Sequence, residues 1–425
     1  MKVELLEILK KEVKPALGCT GPTSVSFAVS VAKDTIGGEL LEVKVIMDRD
    51  TYKNSISVGI PGTKEKGLDV AASMGAVGGK SALGLEVLRD IGVLAEQKAL
   101  NMIREGKINV EVDWSRIGMG LYIEAFVKTT NGIGHAIVAG THTNTVFVER
   151  NDEILLNKAF DNNKNAIYQP NHEIGNYTVQ DFIEFTRRIS IEKLDFIKEA
   201  VEMNLKLAES GIKNKSGSGF GKTWLDLDDK NILNKVKAYT AAASDARMAG
   251  ENLPAMSCAS SGNVGITASV SLAIFSKENN FVEENMLRAV ALSFLITIYV
   301  KNHIGRLSPM CACAIAASLG VAAGAAYLLE ENDEKIDSTI TNVIGSLGGI
   351  LCDGAKNGCA LKLSMAIGVA IESSYLAKYD ASISKGEGLV QKNADESIRI
   401  LGKIAREGMR EADIVLCKEI INSSK

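Results

Sequence analysis

The chain has 425 residues, 46% hydrophobic and 24% charged, which at roughly 150 residues per domain is enough for two or three domains with interiors of their own. A balance of 48 Lys and Arg against 52 Asp and Glu leaves a net charge of −4, so neither the basic field of a nucleic-acid binder nor a polybasic membrane patch is present. Aromatics at 5% offer few stacking platforms, and seven cysteines, an odd number, do not read as a disulfide framework in a chain of this size.

Near the N-terminus, Leu5, Leu6, Leu9 and Val13 recur at helical spacing among charges, with no unbroken signal-peptide core, so a cytoplasmic protein is expected. Gly18, Gly21 and Pro22 make a tight turn around Cys19 before a second helix. Leu41, Val43, Val45 and Met47 then alternate as a strand, and Ile56, Val58 and Ile60 as another, stopped by Pro61-Gly62. Gly67 to Glu105 is helical in pattern with a break at Gly78-Gly79, and strands follow from Ile108, Leu121, Gly134 and Thr145. Ser190 caps a helix that is expected to end at Gly211, and helical patterns continue from there to the C-terminus. The expected architecture is an α+β domain with a mainly antiparallel sheet over 38–175 and a larger all-α domain over 176–425. The helices of 1–37 pack on either one.

Pro309 to Leu329 carries no charge for 21 residues, long enough to span a bilayer, but Ala, Gly, Ser and Cys dominate it. It reads as a buried central helix with Ser308 as N-cap and Pro309 in its first turn, not as a membrane span. Its small residues also suit a subunit contact, so a homo-oligomer is compatible with them. Two stretches imitate a phosphate loop, GAVGGKS from Gly75 and SGSGFGKT from Ser216. Both lack the leading glycine, with Met74 and Ser216 in its place, and they read as packing glycine and loop.

The chemistry gathers at cysteines beside helix starts. Cys311 falls in the first turn after Ser308-Pro309, and Cys313 lies about 200° further round that helix, pointing elsewhere. Cys352 and Cys359 bracket a loop with Gly354, Lys356 and Gly358, and Cys359 opens the next helix. With Cys19, four thiols sit near helix N-termini, an environment that favours thiolate. The separations of 41 and 7 residues between Cys311, Cys352 and Cys359 match neither a zinc ribbon nor a ferredoxin run, so spacing alone leaves metal site and inert core thiols both open. Cys258, Cys313 and Cys417 read as core residues.

Taken in order, KPALGCTGPTSVSFA, YKNSISVGIPGT, SSGNVGI, IGRLSPMC and LCDGAKNGCALK resemble the L-cysteine desulfidase family, close to the iron–sulfur serine dehydratase α-chain group. The resemblance spans the chain to about residue 370. It implies a 4Fe–4S cluster on Cys311, Cys352 and Cys359, with Cys313 near enough to compete for the first place, and it implies Cys19 as the proton acceptor. It also implies cleavage of L-cysteine to sulfide, ammonia and pyruvate, with L-serine dehydration as the nearest alternative. A fully ligated redox or sensor cluster is a third possibility.

Several residues suit a small amino-acid substrate. The Ser261-Gly262-Asn263 turn offers backbone N–H groups and an amide to an α-carboxylate, and Arg306 offers a bidentate clamp. His142, at a strand end, and Asn54, in YKNSIS, complete the candidates. Lys356 is expected to offset the negative charge of a cluster.

Overall fold

The computed structural model describes residues 3–116, 120–159, 173–305 and 307–423. Among the described residues two large hydrophobic cores form, and the N-terminal segment contributes to both. Helix α1 (Val3–Glu12) buries Leu5, Leu6, Ile8 and Leu9 in a helical core, and strand β1 (Val13–Leu17) follows it there. Helix α2 (Thr20–Ile36) instead buries Val25, Ala28, Val29 and Ala32 against a sheet. The chain passes from one body to the other at Gly18-Cys19.

The α+β body continues with β2 (Leu40–Asp48), α3 (Arg49–Lys53), α4 (Leu68–Gly78), α5 (Val93–Arg104), β3 (Ile108–Asp113), β4 (Tyr122–Thr129), β5 (Gly132–Ala139), β6 (Thr145–Arg150) and β7 (Glu153–Asn157). The sheet order is β3-β2-β4-β5-β6-β7. Only β2 and β3 run parallel, because α3, α4 and α5 supply the crossover such a pair needs, and the other pairs are antiparallel. Alternate side chains Val43, Val45 and Met47 of β2 and Ile123, Ala125 and Val127 of β4 are fully buried, as the period of two requires.

The expected strand at Ile56–Ile60 does not form. Val58 and Ile60 are buried, but Gly59 makes only a single bridge, to Lys66, and donates its N–H to Met248 O at 3.0 Å. The segment's other backbone bonds are local, from Ile56 N–H to Tyr52 O, from Ile60 N–H to Glu65 O and from Gly67 N–H to Val58 O.

The second body holds α6 (Val179–Arg188), α7 (Asp195–Asn214), α8 (Phe220–Leu227), α9 (Ile232–Met248), β8 (Pro254–Cys258), α10 (Gly262–Glu278), α11 (Glu283–Ile304), α12 (Ala316–Leu328), α13 (Asp333–Leu347), α14 (Gly358–Lys378), α15 (Ala394–Lys403) and α16 (Arg410–Ser423). It departs from an all-helical reading at β8, which pairs antiparallel with β1 from Val13↔Cys258 to Leu17↔Pro254. Helix α7 runs through Gly211 to Asn214. That glycine is a contact point, since a Cβ there would lie 2.0 Å from Ala242 O of α9. At the centre, α12 is buried along its length against α11, where a Cβ on Gly320 would lie 2.3 Å from Ser293 O. The small residues do allow close approach.

The central helix is shorter than its sequence implies. Residues 309–315 are not helical, and α12 has 13 residues, about 20 Å at 1.5 Å per residue, well short of a bilayer core. Ser308 caps only the N–H of Met310, because the N–H of Cys311 is spent on Ile350 O at 2.8 Å. Two other helices, α11 and α14, are long and apolar enough to cross a membrane. The apolar windows that qualify them are 83% and 61% buried within the fold.

A buried ion network ties the C-terminal helix to the α+β body. Arg49 of α3 donates through Nη2 to Asp50 at 2.7 Å and to Asp413 of α16 at 2.8 Å, while Lys53 Nζ reaches the other Asp413 oxygen at 2.6 Å. All four side chains are almost completely buried. Asp413→Ala would leave two buried cations short of a partner and is expected to cost about 3–5 kcal/mol in urea unfolding. A loss below about 1 kcal/mol, the value of a surface pair, would contradict this account of the network.

Candidate active site

The crossing between the two bodies opens onto a cavity of about 440 Å³. Its lining includes Cys19, Asn54, His142, Arg247, Ser261 and Asn263, together with Cys311, Cys313, Cys352 and Cys359. Residues separated by hundreds of positions meet there because each lies at the end of an element. Gly262 is buried just behind the wall, and Arg306 lies outside the described residues.

Cys19 is the N-cap of α2 with extended backbone (φ −81°, ψ 132°), directly after Gly18 at φ +69°. Its carbonyl accepts from Thr23 N–H at 3.1 Å and from the Thr23 hydroxyl at 2.8 Å, which fixes the turn. Asn54, at the end of α3, links two thiols. Its carbonyl oxygen lies 3.8 Å from Cys19 Sγ and its Oδ1 lies 3.9 Å from Cys352 Sγ. The Asn54 amide is held in turn by Asp50 O at 2.8 Å.

The remaining cavity thiols come from two loops joined as a short antiparallel pair. Cys311 N–H donates to Ile350 O, Cys352 N–H donates to Pro309 O at 2.7 Å, and Met310 bridges Leu351. Cys359 follows in the first turn of α14. Cys313, which a continuous helix would turn away, instead hydrogen-bonds Cys311 because residues 309–315 are not helical.

Electrostatics at the thiols differ from the simple helix-terminus expectation. The hydrogen bond from Cys313 draws the Cys311 thiol down to about 7, against the opposing effect of burial. Burial pushes Cys359 up to about 12 despite its place at a helix start, and burial likewise raises Cys352 although Lys53 opposes it. Burial is the largest cause at both positions, opposed at Cys359 by the Lys356 backbone and at Cys352 by Lys53. Lys53 is itself buried, which works against its charge, but Cys352, Asp413 and Asp50 more than compensate and hold it protonated. Lys356, expected as the cluster's counter-charge, pairs with Asp353 at 2.5 Å, and Lys362 pairs with the same carboxylate. Cys258 is raised by complete burial and Cys417 is pushed up to about 12, also by burial, as core thiols should be.

The turn before α10 is strained. Ala259 (φ +47°) and Ser260 (φ +66°) are both left-handed without being glycine, at a cost on the order of 1–3 kcal/mol each. Paired bonds between Cys258 and Ser261 close the turn, Lys301 Nζ donates to Ala259 O at 2.6 Å, and the Thr20 hydroxyl donates to Ser260 O at 3.4 Å. The result places Ser261 as an N-cap whose side chain makes no cap bond, and Ser261 and Asn263 line the cavity at the start of α10.

Arg247 and Lys53 were not among the residues singled out from sequence. Arg247 of α9 is 3% exposed, donating from Nη1 to Asn263 Oδ1 at 3.1 Å and from Nη2 to Gly18 O at 2.9 Å. Its signal was the charged pair Asp245 and Arg247 inside the Ala-rich AAASDARMAG. Lys53 lay one residue from Asn54 with nothing to distinguish it from a surface lysine.

Two donor sets could hold metal. Asp50, Asp413 and Cys417 place ligand atoms within 4.8 Å of one another, although both carboxylates already serve Arg49 and Lys53. No other such trio occurs among the described residues, so the cavity thiols are spread more widely. A single tetrahedral ion with bonds of about 2.3 Å would require sulfurs roughly 3.8 Å apart. Cys311, Cys313, Cys352 and Cys359, all free and all lining the cavity, supply thiol donors of the kind that iron–sulfur groups take. In metal-free protein, iodoacetamide labelling of Cys311 is expected to reach half its maximal rate near pH 7, and Cys313→Ala should move that midpoint upward. Mass spectrometry showing Cys311 labelling only above pH 9 would contradict the hydrogen-bonded thiolate.

The model of the family described as "Serine dehydratase alpha chain" matches residues 70–418. A UPF0597 protein of Caldanaerobacter subterraneus is 40% identical over 412 residues, covering 97% of this chain and 96% of its own. UPF0597 proteins of Clostridium tetani and Clostridioides difficile are 37% and 35% identical, each covering at least 98% of both chains. The match and the donor sets together describe a metal-associated enzyme with lyase-type relatives. By the extent of the family match and of these identities, the chain belongs to the serine dehydratase alpha chain family.

Proposed function

We propose that this protein is an iron–sulfur-dependent lyase that removes the β-substituent of a small L-α-amino acid without net oxidation or reduction, with L-cysteine as the substrate. The observation that carries the reading is the shared cavity, which Cys19 lines together with Cys311, Cys352 and Cys359 and in which Asn54 bridges Cys19 to Cys352. Cys311, Cys352 and Cys359 would hold a 4Fe–4S cluster. When bound with three thiolates, such a group supplies an open iron as a Lewis acid for the leaving group.

The chain's own residues supply the rest. The N–H groups of Gly262 and Asn263 and the Asn263 amide orient the α-carboxylate at the start of α10, which Ser261 caps. Cys19 Sγ, as thiolate, takes the α-proton, and the electron pair left at Cα forms the double bond to Cβ as the β-substituent leaves. Asn54 keeps Cys19 in register with the wall that carries Cys352. The products are hydrosulfide and aminoacrylate, which tautomerises and takes up water to give pyruvate and ammonia.

A second reading, dehydration of L-serine, is the one the family's description supports. Hydroxide is a poorer leaving group than hydrosulfide and benefits from an acid, for which His142 lies on the cavity wall. The motif resemblance and the lesser need for an acid support L-cysteine.

Anaerobically purified protein is expected to contain iron and acid-labile sulfide and to form pyruvate from L-cysteine together with sulfide. Pyruvate from L-serine alone would move the assignment to the dehydratase, and absence of pyruvate from both would end the lyase reading. Cys19→Ser should lower kcat by about 10²–10⁴ with iron content unchanged, and unaltered turnover would exclude Cys19 as the base.

A further inference from the structure

Arg247 is as buried as Arg49 but is treated differently by its surroundings. Arg49 meets two carboxylates, whereas the two hydrogen bonds of Arg247 go to neutral oxygens, Asn263 Oδ1 and Gly18 O. Its Nε has no partner, and no carboxylate lies within 4.0 Å of it among the described residues. A guanidinium removed from water without an anion is costly, and at a cavity wall the cost is relieved when an anion arrives.

The surroundings fit that anion to a carboxylate. Arg247 lies against the bare Cα of Gly262, where a Cβ would sit 2.3 Å from Nε and 2.6 Å from Cζ. Gly262 is the first residue of α10, whose Ser261 cap leaves the first-turn N–H groups unbonded by a side chain and whose first turn contains no acidic residue. A planar fork with donors to spare therefore lies beside a helix N-terminus, on the same cavity as the thiols. We propose that Arg247 is the counter-charge that selects substrates bearing a free α-carboxylate, and that Gly262 is glycine to let the guanidinium lie there.

This rests on the lyase reading for the identity of the substrate but not for the existence of the anion site. It also gives the side chain a second task. Because Nη2 holds Gly18 O, the residue that grips the carboxylate also fixes the turn carrying Cys19, so substrate charge and base position are set by one group.

The test compares L-cysteine with L-cysteinamide, its neutral isostere, on the iron-loaded enzyme, reading sulfide release. The wild type is expected to prefer the acid by on the order of 10²-fold or more in kcat/KM, since a site built around a buried donor rejects the analogue that leaves it unpaired. Arg247→Gln should bring that ratio to within about tenfold, chiefly by raising KM for the acid, with iron and sulfide content unchanged. Gly262→Ala, which displaces the guanidinium without altering its charge, should move the ratio in the same direction, and Arg247→Lys should retain part of it. An equal fall for acid and amide in the variants, with the ratio preserved, would make Arg247 a structural tie only and overturn the proposal. If the wild type releases no sulfide, calorimetric titration with L-serine and L-serinamide decides instead. Acid binding that Arg247→Gln abolishes supports the anion site even as the lyase reading falls, and equal binding of acid and amide by the wild type overturns it.

Discussion

The pairing of β1 with β8 is the constraint on which the site depends. It anchors the chain up to Leu17 in the helical body, while α2, beginning at Thr20, is anchored in the core of the sheet. The residues between have no freedom to choose another path, so Cys19 is held where the two bodies meet. Arg247 reinforces the crossing from below through Gly18 O, and Thr23 does so from within α2. A thiol placed this way is positioned by two cores at once, which is a more rigid support than a loop could give.

A second tie acts on the far side of the thiols. Asp413 of the C-terminal helix holds Arg49 and Lys53 of α3, and α3 ends at Asn54, which faces both Cys19 and Cys352. The ion network is too deeply buried to be explained by stability alone, since hydrophobic replacements of similar volume are often as stable. Its effect is geometric. It brings an element of the sheet body, the last helix and the 352 loop to one point, and it keeps a protonated lysine beside Cys352.

Much of this was legible in the residues. The period-two strands of the sheet, the broken helices around Gly78-Gly79, and the helical character beyond Tyr177 follow from local pattern. What failed did so where backbone partners were remote. Ile56–Ile60 alternates like a strand but only its Gly59 N–H finds a remote partner, Met248, and Pro254–Cys258 shows no alternation yet becomes one because β1 waits some 240 positions earlier. Ser308-Pro309 reads as a helix start, but the N–H of Cys311 is taken by Ile350, so the helix begins at Ala316 and Cys313 turns toward Cys311. The thiol pKa order was similarly hidden, because burial is a tertiary property. Arg247 was passed over because a charge in an Ala-rich helix gives no hint of which wall it will line.

On the proposed reading, three thiolates hold a cluster with one iron left open toward the cavity. Mössbauer spectroscopy of ⁵⁷Fe-loaded protein, with and without substrate amino acid, tests this most directly. One iron site distinct from the rest is expected, with its parameters alone changing when the amino acid is added. Iron sites that are all alike and indifferent to the amino acid, or a protein that takes up no iron, would contradict it.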